Sequence, residues 1–252
     1  AVLLTPVNDL AAATQLVKGR DDIAAIILEA TGSTWGQVPT SQAFVEGLRE
    51  LASKQGIILI FDEVISGFRC TPGGAQQALG VTPDLATFGK IVSGGLTGAA
   101  VAGRKDILDV LDFRLAAQAG TEKVFHMGTF NAAPTTAAAG IATLKLVRDT
   151  GVGQQAIDYG ERLIDALNSM FAEQSVSWIA YGTYGGFHIF LNPDGISTTR
   201  QRIEAAEYSH ETLKAPAPAS LRMKLRIGAL LHGIDIQGWP GASVSAVHTD
   251  AD

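Results

Sequence analysis

Ile57-Ile58-Leu59-Ile60-Phe61-Asp62-Glu63 decides the fold of this chain. Five apolar residues, three of them β-branched, make too short a run for a helix and read as a strand of a parallel sheet with both faces covered. Two carboxylates end the run. An acid at the carboxyl end of a buried parallel strand points into the crevice where open α/β sheets take their ligands.

Downstream, Pro83-Asp84-Leu85-Ala86-Thr87-Phe88 reads as a second short strand, followed at once by Gly89-Lys90 and by the glycine pair Gly94-Gly95. The residues around 76–80, with their flanks, suffice for a crossover, so both strand ends face one crevice and Asp62 and Lys90 share a ligand. One acid and one lysine around a planar heterocycle is the pattern of pyridoxal phosphate chemistry. The amine forms a Schiff base with the aldehyde, and the acid keeps the pyridine nitrogen protonated. Taken singly, an aspartate at a strand end is more often a cap or turn residue, and a loop lysine a solvated charge.

Whole phrases weigh against that plain reading. Leu59-Ile60-Phe61-Asp62-Glu63-Val64-Ile65-Ser66-Gly67-Phe68-Arg69 resembles the "FDEV…GFR" signature of class III pyridoxal-phosphate aminotransferases. Val81-Thr82-Pro83-Asp84-Leu85-Ala86-Thr87-Phe88-Gly89-Lys90 is similar to their "PDL…GK" segment, and Gly128-Thr129-Phe130-Asn131-Ala132-Ala133-Pro134 to a third, "GTF" segment. Within that family the flavour is that of glutamate-1-semialdehyde aminomutase and its amine- and amino-acid-transaminase relatives.

The resemblance implies a fold-type-I α/β architecture. Residues 1–150 are expected to form a mostly parallel sheet in a large cofactor-binding domain, partial relative to the family, and residues 151–252 a smaller α+β domain. It implies pyridoxal phosphate as cofactor, a small-molecule amino donor and carbonyl acceptor as substrates, and a homodimer with a shared active site. Lys90 and Asp62 take the catalytic roles, Val64 lies against the ring as an apolar floor, and Gly128-Thr129 reaches the phosphate from the neighbouring subunit. On the residues alone, Gly128-Thr129 reads as a turn with a helix cap ahead of Pro134. Glu29 ends its own strand where the family has an acid followed by proline, here replaced by Ala30. The reading is a transaminase; the alternatives are an aminomutase using the same residues, or a non-enzymatic remnant of the fold.

Composition fits that frame. With 46% hydrophobic and 17% charged residues the chain is globular, and its formal net charge of −6 without a basic cluster argues against nucleic acid. No apolar run has the length of a membrane span, and the start lacks a signal-peptide pattern. Cys70 is the sole cysteine, which rules out an intrachain disulfide and fits a reducing, cytoplasmic setting. The five histidines show no ligand spacing, so no metal is expected.

Along the chain, strands are expected at 2–4, 23–28 and 99–102, helices at 10–18 behind an Asn8-Asp9 cap and at 39–56. Long helices follow at 132–147 and 157–171, then strands at 176–181 and 186–191, helices at 204–213 and 220–231, and a terminal strand. The chain begins without methionine, with residues that read as mid-domain sequence, and the segment that grips the phosphate and stacks on the ring in the family is not found in it. It is therefore read as a fragment, a processed chain or a short relative.

Overall fold

The computed structural model describes residues 2–214 and 218–250. They form two compact units, one made of 17–30 and 45–150, the other of 1–16, 31–44 and 151–252 as far as they are described.

In the first unit, β1 (Ala25–Leu28), β2 (Ile58–Glu63), β3 (Leu85–Phe88) and β4 (Ala100–Gly103) form one sheet in that order. The pairs β1–β2 and β2–β3 are parallel, and β4 closes the edge antiparallel to β3. Each parallel step demands a crossover, which the helices Gln42–Gln55 and Gly74–Leu79 provide. The first of these buries Val45, Leu48, Leu51 and Ala52 along one stripe, the spacing that made it legible.

Burial alternates along β2. Leu59, Phe61 and Glu63 are buried, whereas Ile58, Ile60 and Asp62 are half-buried, and Ile27 beside Ile60 is 62% exposed. The expectation of a sheet covered on both faces is thus corrected: one face is packed and the other is only partly covered. Periodicity could not separate the two, because both faces carry isoleucine or leucine.

Asp84, at the entrance of β3, fastens this unit. Its Oδ2 accepts the Leu59 amide of β2 at 2.8 Å and an Arg49 Nη1 at 2.8 Å, and its Oδ1 accepts an Arg104 Nη1 at 3.0 Å. Burial works to raise the proton affinity of this carboxyl, but the Leu59 amide and the two guanidiniums outweigh it and hold the group below the usual carboxylate range.

The second unit carries the antiparallel strands β5 (Ile179–Tyr181), β6 (Gly186–Phe190) and β7 (Gly241–Ser243), ordered β5-β6-β7. The helix Val152–Glu173 lays Ile164 and Phe171 against Ala180, Phe187, Ile189 and Val244. Val38, Tyr181, Phe190, Ile203 and Leu213 form a second cluster, where the Tyr181 hydroxyl donates to the Gln37 carbonyl at 2.6 Å.

Two expected elements differ. Residues 2–4 are not a strand: Val2 and Leu4 are 86% and 88% exposed, and no described strand pairs with them. The helix expected at 204–213 is two short ones, Arg200–Glu204 and His210–Leu213, because Ala206 turns left-handed at φ 61° and the Ser209 hydroxyl caps a fresh start by accepting the Thr212 amide. The Asp9 cap forms as expected, its Oδ1 accepting the Ala12 amide at 2.8 Å.

Candidate active site

The parallel register sets Asp62 opposite Thr87 and Glu63 opposite Phe88. Asp62 therefore ends β2 beside the last residues of β3, and Lys90 follows β3 after one intervening glycine. Both lie at carboxyl ends of neighbouring parallel strands, the position from which open sheets reach their ligands.

Asp62 is half-buried, and its Oδ1 accepts the Val64 amide at 3.0 Å and the Thr87 hydroxyl at 3.3 Å. Its Oδ2 has no partner among the described residues. The turn-capping reading and the ligand-binding reading are compatible here, since one oxygen serves the turn and the other is left open. Glu63 points the opposite way, as strand alternation requires. It is fully buried and accepts from Ser66 Oγ, from the Ala75 amide and from Gln76.

Lys90 opens a short 3-10 turn, Lys90–Ser93, with φ 49°. A lysine in the left-handed region costs on the order of 1 kcal/mol, strain of a kind that concentrates at functional sites. The turn is held from below: the single Ser93 Oγ–H is shared between the Lys90 and Leu96 carbonyl oxygens, which lie 2.9 and 2.7 Å away. It is also held from the side by the helix Pro134–Asp149, where Gly140 comes so close that a Cβ there would lie 2.4 Å from the Val92 carbonyl oxygen. Thr136 of the same helix donates to the Thr97 carbonyl at 3.0 Å. The Lys90 side chain itself is exposed, with no partner for its Nζ among the described residues.

Val64, Gly128 and Thr129 together line a cleft of about 910 Å³, with Thr87, Phe88 and Ser93 among its other walls. Lys90 lines an adjoining depression of about 670 Å³ that shares Ser93, Thr97 and Gly98 with it. Asp62 is not on the lining but holds Thr87, which is. Gly128 and Thr129 sit in a turn closed by the Asn131 amide on the Gly128 carbonyl at 3.1 Å. The cap expected there is not made by Thr129. Ala133 occupies the N-cap without a side-chain bond, and Pro134 in the first turn needs no donor of its own.

Three residues that carry no role in the sequence pattern touch this arrangement: Thr87, which bonds to Asp62; Ser93, which braces the Lys90 turn; and Glu63, which ends β2 on the opposite face from Asp62. The first and third were within reach, since Thr87 follows from pairing the two strands in register and Glu63 from the period-two alternation that separates it from Asp62.

The class-III aminotransferase family matches residues 4–192 of this chain. A glutamate-1-semialdehyde 2,1-aminomutase from Nitratidesulfovibrio vulgaris is 48% identical over 147 residues, 58% of this chain and 33% of that protein. Among solved structures, a β-phenylalanine aminotransferase from Variovorax paradoxus superposes with a TM-score of 0.81 at 29% identity, covering 99% of this chain and 54% of its own. A transaminase with PLP bound superposes with a TM-score of 0.80 at 25% identity, again covering 99% of this chain and 54% of its own. The chain thus has the fold of these enzymes and spans about half the length of the solved relatives.

Proposed function

Because the chain belongs to the class-III aminotransferases, we propose that it binds pyridoxal phosphate and serves a transaminase that moves an amino group between an amine or amino acid and a keto acid or aldehyde. The observation that carries this reading is the pair of strand ends, β2 offering a carboxylate oxygen and β3 a primary amine, each without another partner among the described residues.

That donor set fits the cofactor. Asp62 Oδ2 is the group to hold a ring N–H, and its Oδ1 bonds to the Val64 amide and Thr87 fix its direction. Val64 supplies an apolar wall to the cleft that Thr87, the partner of Asp62, also lines, and Lys90, in the depression adjoining it, is the residue to hold the aldehyde carbon and then carry a proton to and from the substrate. Bound pyridoxal phosphate supplies a protonated ring that accepts electrons from the substrate carbon. Gly128 and Thr129 are assigned to the phosphate, with Thr129 contributed across a homodimer. The exposed Phe113, Phe125, Met127 and Phe130 support an apolar face for that second copy.

An aminomutase, which shifts the amino group within one molecule, is the second reading, and the 48% identity to such an enzyme favours it. The experiment is to load the purified chain with pyridoxal phosphate, reduce with borohydride and locate the modified lysine by mass spectrometry. Pyridoxyl on Lys90 supports the proposal. Turnover of glutamate-1-semialdehyde without an added amino donor selects the aminomutase, turnover requiring an acceptor selects the transaminase, and a chain that takes up no cofactor after dialysis is a remnant of the fold.

A further inference from the structure

Glu63 stands out among the buried polar groups of the first unit. It is fully buried, and no cation pairs with it among the described residues. Its Oε2 accepts the Ala75 amide at 2.6 Å and Ser66 Oγ at 3.2 Å, and its Oε1 accepts Gln76 Nε2 at 3.0 Å and the Gln76 amide at 3.5 Å. Every group facing it is a donor, which suits an acceptor-only carboxylate. Gly74 leaves it the room: a Cβ there would lie 2.3 Å from Oε2, and the backbone at φ 72° is one that side-chain-bearing residues avoid. Burying a carboxylate without a countercharge is a poor way to gain stability, and an apolar side chain of similar size serves a core better.

What the carboxylate secures is the chain between β2 and the helix Gly74–Leu79. Its two oxygens grip the far end of that segment at Ala75 and Gln76, while the Glu63 carbonyl accepts the Gly67 amide at 3.0 Å at the near end. The segment so closed carries Val64, a wall of the cleft, and Phe68, whose ring lies 5.3 Å from that of Phe88. Its first amide, that of Val64, is the one bonded to Asp62 Oδ1.

We infer that Glu63 is a positioning residue for the cofactor site: by tying the turn after β2 from the buried face of the sheet, it fixes the direction of Asp62 Oδ2 and the place of Val64 on the other face. The inference rests on the proposed cofactor reading for the chemistry it serves. Its geometry is a property of the chain alone.

The test has an arm without cofactor. In Glu63→Gln, which keeps the size but turns an N–H₂ toward donors, the Val64 amide exchanges its hydrogen about tenfold faster, while the Leu59 amide, held from Asp84, keeps its rate. Acceleration of both amides together, or of neither, overturns the inference. Ser66→Ala removes one 3.2 Å bond and carries the same test in a variant that leaves the carboxylate in place, with an acceleration of about threefold at Val64 alone. In protein loaded with pyridoxal phosphate, the pH midpoint of the visible absorbance band moves by about one unit in Glu63→Gln. An unmoved midpoint beside a faster Val64 amide makes the tie merely structural and overturns the positioning role. A parent chain that takes up no pyridoxal phosphate defeats the functional proposal instead, and the exchange rates still decide whether Glu63 holds the turn.

Discussion

The Thr87 hydroxyl donates to Asp62 Oδ1 over 3.3 Å, joining two residues that the parallel register of β2 and β3 places opposite each other. In the proposed site this bond aims the second carboxylate oxygen. Asp62→Asn keeps the shape and loses the charge that holds a proton on the ring, so the cofactor should stay attached while turnover falls by about a hundredfold or more. Thr87→Ala should cost less, roughly three- to tenfold, because it loosens the aim without removing the charge. Steady-state rates and the visible spectrum measured side by side check both. Parent-like turnover in Asp62→Asn removes the residue from the mechanism.

Lys90 separates function from stability. Its amine is exposed, and its backbone sits at φ 49°, a conformation glycine adopts without strain. Lys90→Ala should abolish covalent cofactor attachment and turnover with a stability change below about 0.5 kcal/mol. Lys90→Gly should abolish them equally while leaving the melting temperature at or above that of the parent, since relief of about 1 kcal/mol of strain offsets the added freedom of the unfolded chain. A large loss of stability in either variant would show that the side chain packs in a way this geometry excludes.

The same phrase that identified Lys90 contains a residue whose importance the sequence did not betray. Asp84 lies within the run 83–88 that reads as a strand, but its partners Arg49 and Arg104 lie 35 and 20 residues away, beyond any local pattern. The strand ends, and the places of Asp62 and Lys90 at them, were legible because short apolar runs and adjoining charges are local signals. Which face of β2 is covered was not, since Ile58 and Ile60 are as apolar as Leu59 and Phe61. Nor was the break at Ala206, where a helix former adopts a left-handed turn at φ 61° that no local residue preference announces.

Asp84→Asn should therefore destabilise the first unit by about 2–4 kcal/mol, because it leaves two guanidiniums and a strand amide facing a weaker acceptor. The sign of the pH dependence follows from the lowered proton affinity of the folded carboxyl. Its contribution is complete above the unfolded carboxyl's range near 3.9 and is lost as the pH falls below it. Calorimetry from pH 7 down to pH 3 should show the parent converging on Asp84→Asn at the acid end.

In the second unit, acid acts through His188 and over a different range. The ring is buried, its Nε2 lies 2.8 Å from the Trp35 carbonyl oxygen, and its Nδ1 has no hydrogen-bond partner among the described residues. Burial lowers its pKa to about 4, with Lys214 adding to the effect and the Trp35 carbonyl opposing it. A histidine whose folded value is depressed gives its full stabilisation above the unfolded value near 6.5, and that stabilisation fades as the pH falls toward 4, by roughly 3 kcal/mol in all. Trp35, Trp178 and Trp239 all belong to this unit, so tryptophan fluorescence in urea isolates it. His188→Phe should begin less stable and show a flatter profile between pH 6.5 and 4. An equal slope in both proteins would place the acid sensitivity elsewhere.

Assembly is the remaining expectation, and it turns on Thr129. Within one chain Thr129 lines the same cleft as Val64, yet the turn that carries it is flanked by Phe125, Met127 and Phe130, which are 75%, 86% and 65% exposed. Three large apolar side chains within six residues cost free energy in water, and a second copy is the partner the proposed function provides. If Thr129 reaches the phosphate across that interface, the cofactor bridges two chains and its binding is linked to dimerisation by mass action. Pyridoxal phosphate should then shift a dilute sample toward dimer in analytical ultracentrifugation, and Thr129→Ala should weaken both the shift and the cofactor's visible band. Phe130→Ser should lower the dimer fraction with or without cofactor, because it removes apolar area rather than a phosphate contact. A chain that binds the cofactor tightly as a monomer, in which Thr129→Ala weakens the band, would place Thr129 in its own chain's cleft, where this structure has it. A monomer in which the same substitution is silent would remove Thr129 from the site altogether.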